Sequence, residues 1–234
     1  MAKSKVSRKE LLSTNDEFIN FSSRAFIFIS EHTRQFQIAG YCLIAIVLIY
    51  IGFYFYLGNI NNKAQNVYNT AYMSLYENMK PDISKEDLDI SRENFSRVID
   101  DYSISKISRL AIPQLAYIDY LEKDYDSAIA KYQDYLDKSP EEPYRSYTLL
   151  ALSACYEDKG QYDKALSNLE IIIAGSDDIL KEQAMLNLAR IYRLENNFDK
   201  SDKILNDFIE KYPSSSSLAL AKSLLKKTSG NLTD

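Results

Sequence analysis

The amino-acid sequence predicts an all-α fold in which a single transmembrane helix precedes a right-handed array of helical hairpins. Among the 234 residues, glycine (6) and proline (5) are scarce and tryptophan is absent, whereas tyrosine (19) is abundant. This composition favours helices packed through aromatic side chains over turn-rich sheet. Residues 38–57 form an uncharged apolar stretch, and the chain beyond them repeats with a period of 36–37 residues, as stacked helical arrays do.

Residues 1–35 are predicted to be a cytoplasmic segment that contains a short amphipathic helix. The segment carries six Lys or Arg and four Asp or Glu, a net charge of +2. Thr14 and Glu17 have the spacing of a capping box, and apolar residues follow at helical intervals, so we expect a helix from about Asp16. Three roles fit this helix: it lies in the inner headgroup region, packs on another membrane protein, or extends the membrane helix.

Residues 36–57 are predicted to be a transmembrane helix. The twenty residues from Ile38 to Leu57 carry no charge, and at ~1.5 Å per residue they span a hydrocarbon core of roughly 30 Å. A buried core helix and a cleaved signal peptide are the alternatives, but the stretch is apolar on all sides and no A-x-A-like site follows it. Because Lys63 is the only basic residue between this stretch and Lys80, the N-terminus should stay in the cytoplasm. Five Tyr and Phe residues between 50 and 56 mark the exit side.

Residues 58–234 are predicted to form the repeat domain, because three of its segments align on one another without a gap. Leucine, small and aromatic residues coincide in the segments 115–136, 152–173 and 188–209. A weaker unit, aligned through Ser91 and Phe95, precedes them. We expect hairpins at about 60–103, 109–142, 146–179 and 182–215, and a capping helix at 217–227 that covers the last apolar face.

Small residues and turns mark the geometry of each hairpin. Small side chains such as Ala128 and Ala165 are expected where the two helices cross, because the backbones approach closely there. Gly160 turns the chain between two helices. Lys123 and Asn196 take its place in the other units, where asparagine tolerates the left-handed conformation better than lysine does.

The aligned leucine, small and aromatic positions resemble the tetratricopeptide repeat, and the resemblance covers residues 60–225. A cytoplasmic segment, one membrane helix and such a domain beyond it form a layout similar to that of the bacterial inner-membrane family of ancillary SecYEG translocon subunits. This resemblance implies a periplasmic repeat domain whose partners are translocon components, periplasmic chaperones or secreted clients. Residues 197–222 also resemble the repeats of periplasmic proteins that serve outer-membrane assembly.

Tetratricopeptide arrays usually bind ligands on the concave face that the first helix of each hairpin forms. By repeat register, a peptide-binding groove would be lined by Leu110, Pro113, Tyr117, Tyr120, Tyr147, Leu150, Ala154, Gln183, Leu186, Asn187, Arg190 and Arg193. We expect an apolar, tyrosine-lined groove with a basic end that suits an extended or helical peptide. The alternative is that several of these tyrosines only pack between repeats. Pro113 and Tyr117 stand where a carboxylate clamp would need Lys and Asn, so a reader of C-terminal carboxylates is not expected.

The same sequence argues against other classes of function. Residues from 58 onward have 22 basic and 29 acidic side chains, a net charge of −7 that repels nucleic acid. His32 is the only histidine, and no P-loop, glycine-rich dinucleotide turn, zinc-ligand cluster or Ser/His/Asp set is present. We therefore expect a non-enzyme without cofactor or metal.

Two functions remain for a tethered binding domain of this kind. The first is an adaptor or chaperone-like factor that receives or recruits proteins at the translocon. The second is a structural scaffold subunit of an envelope complex, whose groove holds one fixed partner.

Overall fold

The computed structural model describes residues 23, 24, 26–77, 84–175 and 178–230. These residues form helices and turns and contain no strand, which confirms the predicted all-α class. The helix expected from about Asp16, with Thr14 and Glu17, lies mostly outside the described residues. In chain order the long helices are α1 (Thr33–Glu77), α2 (Lys85–Asp101), α3 (Lys106–Leu121), α4 (Tyr125–Asp137), α5 (Tyr144–Asp158), α6 (Tyr162–Ala174), α7 (Asp178–Leu194), α8 (Phe198–Lys211) and α9 (Leu218–Gly230).

The chain divides into two compact units, residues 1–58 and 59–234. In the first unit, every side chain from Ile38 to Tyr56 is exposed. The helix that carries them is long and apolar enough to cross a membrane by length and composition, with a mean hydropathy of 2.3 over its most apolar window. A core helix would be mostly buried, whereas none of that window is buried.

The second unit is an array of helical hairpins. The part of α1 from residue 59 pairs with α2, then α3 pairs with α4, α5 with α6 and α7 with α8, while α9 packs on α8. We number these hairpins as the first to the fourth repeat. Three apolar clusters follow one another along the array, centred on Phe95, Leu169 and Phe208, each of which is fully buried.

Small residues lie where the helices of each hairpin cross. Ala128, Ala165 and Ser201 are fully buried, as the repeat register predicts for the two alanines. Serine hydroxyls link the two helices of a hairpin at this depth: Ser91 Oγ donates to the Ala71 carbonyl at 3.2 Å, and Ser153 Oγ donates to the Ala165 carbonyl at 3.1 Å. The close approach of the backbones makes both hydrogen bonds possible.

The turn inside the last three repeats has one conformation. Lys123, Gly160 and Asn196 have φ angles of 64°, 68° and 59°, so all three occupy the left-handed region. Glycine adopts this region without strain, whereas the Cβ of lysine crowds the backbone there. The chain therefore keeps the same turn geometry even where the sequence does not favour it.

A buried carboxylate joins the first two repeats. The side chain of Asp119 is 4% exposed and accepts from Arg92 at 2.6 Å and from Lys131 at 2.5 Å. Arg92 lies on α2 and Lys131 on α4, so Asp119 on α3 connects three successive helices. Two cations offset the cost of burying this charge.

Candidate peptide-binding groove

A cavity of about 430 Å³ opens where the first helices of the first three repeats meet. Helix α4 supplies one wall of it. The lining is made of side chains without formal charge, seven of them tyrosine: Tyr72, Tyr76, Pro113, Gln114, Tyr117, Tyr132, Tyr135, Tyr144, Tyr147, Thr148 and Ala151.

Stacked tyrosine rings continue from the first repeat into the second. Tyr72 and Tyr76 have ring centroids 4.2 Å apart, and Tyr76 stacks on Tyr117 at 6.1 Å with an interplanar angle of 5°. Tyr117 then stacks on Tyr120 at 6.3 Å. Helical spacing explains the first contact, because residues four apart lie on one helix face, whereas the second contact needs two helices side by side.

The hydroxyls of three cavity tyrosines, Tyr76, Tyr117 and Tyr132, stay protonated and can donate hydrogen bonds. Burial raises the pKa of Tyr76, Tyr117 and Tyr132 above the value of about 10 that is usual for tyrosine. Tyr76 Oη donates to Gln114 Oε1 at 3.1 Å inside the cavity. The groove therefore offers flat apolar rings and neutral hydroxyl donors, which suit backbone carbonyls and uncharged side chains of a peptide.

The structure brings some of the residues predicted for the second and third repeats into this cavity. Pro113, Tyr117 and Tyr147 line it, and Tyr147 is 55% exposed. Tyr120 and Leu150 are partly buried against the central apolar cluster, and Ala154 is half-buried. Leu110 lines a neighbouring cavity at the start of α3. Tyr117 and Tyr147 line the cavity, while Tyr117 and Tyr120 are both partly buried against apolar clusters of the core.

At the predicted basic end of the groove, the structure gives both arginines a carboxylate partner. Arg190 Nη1 and Nη2 both donate to Glu157 on α5, with the second bond at 2.7 Å. Arg193 lies 3.9 Å from Asp202 and 5.4 Å above the ring of Phe198. Sequence register placed the arginines on α7 but carried no information about the acids that neutralise them.

The other residues predicted on α7 differ in exposure. Gln183 is exposed and Asn187 is half-buried, while Leu186 packs against the last apolar cluster. None of the three lines the tyrosine cavity.

Most of the cavity lining lies outside the positions that repeat register predicts. Tyr132 and Tyr135 lie on α4, a second helix, whereas register predicts groove positions on first helices only. Tyr72 and Tyr76 lie on α1, where the repeat pattern is weakest. Their spacing of four residues, continued back to Tyr68, is the signal that could have identified them.

The candidate groove offers tyrosine hydroxyls, and the described residues provide no metal-ligand cluster. The described part of the chain holds no group of three His, Cys, Asp or Glu side chains close enough to bind a metal ion. The cavity lining contains no carboxylate, imidazole or thiol. The lining therefore presents aromatic rings, hydroxyls and one side-chain amide.

Comparisons with known proteins agree with this architecture. The family model described as a tetratricopeptide repeat-like domain matches residues 36–175, and a model of the tetratricopeptide repeat matches residues 183–215. No match is found among curated proteins.

Solved structures show the same fold at low sequence identity. A tetratricopeptide repeat protein from Parabacteroides merdae ATCC 43184 is 15% identical, with a TM-score of 0.57 over 73% of this chain and 61% of that one. The chain thus spans less than two thirds of that protein's length. The nearly identical TPR-like repeats of a Podosopora anserina protein described as a kinesin light chain are 13% identical, with a TM-score of 0.56 over 71% of this chain and 85% of that one.

Proposed function

This chain belongs to the tetratricopeptide repeat-like family, and we propose that it is a membrane-anchored module that binds an uncharged segment of a partner protein in the tyrosine groove. Repeats of this kind form protein–protein interaction modules. The uncharged, seven-tyrosine cavity across the first three repeats is the observation that carries the proposal. Aromatic-lined grooves bind extended peptides, because the rings bury apolar side chains while neighbouring donors pair with the peptide backbone. Its function is binding rather than catalysis.

We propose that residues 36–57 of α1 span the inner membrane of a bacterium, with the N-terminus in the cytoplasm and the repeats in the periplasm. Six basic residues precede the apolar stretch, whereas Lys63 is the only Lys or Arg between this stretch and Lys80, which supports this orientation. A reporter that is active only in the periplasm, fused after Asp234, should work. Activity of a cytoplasmic reporter at that position would reverse the orientation and exclude periplasmic partners.

Within the periplasm, the module acts as an adaptor or chaperone-like factor at the protein translocon. Its partners are translocon components, periplasmic chaperones or secreted clients. The resemblance of the chain's layout to the ancillary translocon subunits supports this role. The groove supports it as well, because rings and hydroxyls accept many uncharged sequences, whereas fixed charges would select for one pattern.

Photo-crosslinking from the groove tests this role against the alternative of a scaffold subunit with one fixed partner. A photoreactive amino acid at Tyr147, in cells, should capture translocon components and many secreted proteins. The matched control is the same amino acid at Ile171, which is 41% exposed on α6 and lies outside the cavity lining. Capture of one protein alone from Tyr147 would favour the scaffold, and equal capture from both positions would remove the groove from the proposal.

A further inference from the structure

We propose that the cavity at the start of α3 binds the phosphate headgroups of anionic phospholipids in the membrane that holds α1. This headgroup cavity has a volume of about 650 Å³ and shares Tyr135 and Tyr144 with the tyrosine groove as a common wall. The inference rests on the membrane anchor of the proposed function. The repeats would then bind two ligands: the partner segment in the tyrosine groove and the membrane surface at the headgroup cavity.

The charges of the headgroup cavity suit a phosphate group. Lys106, Arg109 and Lys138 line it, with Glu141 as the one carboxylate among the lining residues. Lys138 already pairs with Asp134 at 2.6 Å. Lys106 and Arg109 are exposed, and no ion pair involves either of them within the part of the chain that the structure describes. Two cations are therefore available for an anion.

The chain itself holds this cavity close to the membrane. Asn61 Oδ1 accepts from Ser105 Oγ at 2.7 Å and from the Lys106 backbone N–H at 3.1 Å. Asn61 follows Leu57, the last residue of the apolar stretch, by four residues, so the two Cα atoms are at most about 15 Å apart. This limit holds however the two units of the chain are oriented. The loop before α3 is thus tied to the point where the chain leaves the hydrocarbon core.

An exposed apolar side chain at this loop fits the membrane interface. Ile104 lines the cavity, is 57% exposed and lies two residues before Lys106. An apolar side chain next to cations is the pattern by which peripheral segments enter an anionic headgroup layer, since the chain inserts while the cations pair with phosphate.

Local charge also distinguishes this segment from the rest of the repeat domain. Residues 97–109 carry three cations and two carboxylates, a net charge of +1, against −7 for residues 58–234 as a whole. One of the carboxylates, Asp101, lies 4.0 Å from Arg97. An anionic membrane surface therefore attracts this segment while it repels most of the domain.

Spin-label accessibility in nanodiscs tests the proposal on the full-length chain. A nitroxide is placed on Ser103→Cys in a Cys42→Ser, Cys155→Ala background, so that Ile104 is kept. Collisions of the label with oxygen and with a water-soluble nickel complex are compared in discs of phosphatidylcholine alone and in discs that also contain phosphatidylglycerol. The control label is Ser216→Cys, an exposed serine in the loop before α9.

Anionic lipid should lower nickel collisions at position 103 by roughly twofold or more and leave position 216 unchanged. The pair Lys106→Glu and Arg109→Glu should abolish this protection. The pair Lys203→Glu and Lys222→Glu makes the same change of charge at exposed positions on α8 and α9, and it should preserve the protection.

Three results would overturn the proposal. If the label at position 103 is equally accessible in both lipid mixtures, the cavity does not bind anionic lipid. If both charge-reversed pairs lose the protection equally, the protection comes from general electrostatic attraction between the domain and the membrane and not from this cavity. Protection in phosphatidylcholine discs by added glycerol phosphate would assign the cavity to a soluble phosphate instead. A chain that does not enter nanodiscs at all would refute the membrane anchor, and the lipid site with it. The groove is tested independently, by photo-crosslinking from Tyr147.

Discussion

The first three repeats and the fourth repeat share the helical-hairpin fold, but the side chains that their first helices expose differ in chemistry. In the first three, tyrosine side chains line a cavity and keep their rings and hydroxyls free of charged partners. In the fourth, Arg190 is already engaged by Glu157 of the third repeat, and Arg193 lies beside Asp202 and Phe198. The same register positions therefore present an open apolar surface at one end and an internally neutralised polar surface at the other.

The difference shows that repeat register defines a face but not its chemistry. An arginine whose carboxylate partner is supplied by the neighbouring repeat offers little charge to a ligand. A tyrosine in a partly open cavity keeps apolar area that a partner can still bury. The proposed binding groove lies in the first three repeats, and five predictions test that contrast with the fourth repeat, from the largest expected effect to the smallest.

Alkaline pH should unfold the tyrosine-rich repeats before the fourth repeat. Burial raises the pKa of Tyr68 to about 12, and it raises the pKa of Tyr132 and Tyr135 as well. The unfolded chain releases these protons near pH 10 while the folded chain keeps them, so stability falls as pH rises from about 10 to 12. In the fourth repeat, Tyr192 is the only described tyrosine whose pKa is raised.

Hydrogen exchange by mass spectrometry, at stepped pH values and corrected for intrinsic exchange rates, resolves the two regions. Helices α3 and α4 should lose protection before α7 and α8. The variant Tyr132→Phe should extend the protected range of α4, because it removes one buried ionisable group. Simultaneous opening of all helices would show that the array unfolds as one cooperative unit.

Removing two groove tyrosines should abolish most partner binding. Tyr117→Ala with Tyr147→Ala should cost about 2 kcal/mol or more, roughly thirtyfold in Kd, because aromatic anchors in a cavity carry most of an interface's energy. The matched control is Gln183→Ala with Asn187→Ala on the fourth repeat, which should change Kd little. Fluorescence anisotropy with a segment from a crosslinked partner measures both. Normal binding by the tyrosine variant would move the site away from the groove.

Overpacking a helix crossing should destabilise both regions alike. Ala165→Phe in the third repeat and Ser201→Phe in the fourth each place a large ring at a fully buried crossing, at a cost of about 1–3 kcal/mol. Ala130→Phe, at an exposed position on α4, is the control and should change little. Thermal unfolding of the detergent-solubilised chain measures the cost. An unaffected Ala165→Phe variant would contradict the assigned register.

Breaking the ion pair between the third and fourth repeats should have a modest effect on stability. Arg190→Ala leaves Glu157, whose side chain is 15% exposed, without its cation, and we expect a loss of about 0.5–1 kcal/mol that shrinks in high salt. Partner affinity should stay within about twofold, since the pair is internal to the chain. Urea unfolding at low and high salt provides the measurement. A large, salt-dependent loss of partner binding would show that Arg190 contacts the partner, as the basic end predicted from the sequence requires.

A similarly small effect is expected from relieving a strained turn. Lys123→Gly should stabilise the second repeat by about 0.5–1 kcal/mol, because glycine adopts a φ of 64° without crowding its Cβ. The reverse substitution, Gly160→Lys, should destabilise the third repeat by a similar amount. Urea midpoints compare the two variants. No gain from Lys123→Gly would mean that other contacts of the lysine offset the strain.

The sequence by itself determined the framework of this protein. Helical periodicity, the coinciding small residues and the uncharged run from Ile38 to Leu57 are local signals, and each fixes a feature within one helix or one hairpin. This is why the burial of Ala128 and Ala165 followed from register alone. Register also assigns Pro113, Tyr117 and Tyr147 to one face of the first helices, and these three residues line the cavity.

Only the tertiary structure decided which side chains meet between helices. Tyr132 joins Tyr72 in one cavity although sixty residues separate them, and Glu157 neutralises Arg190 across thirty-three residues. A periodic pattern states which face of a helix a residue occupies, but not which neighbour that face will contact. The chemistry of a surface depends on those neighbours. The tyrosine groove of the first three repeats and the ion-paired arginines of the fourth therefore follow from how the repeats stack on one another.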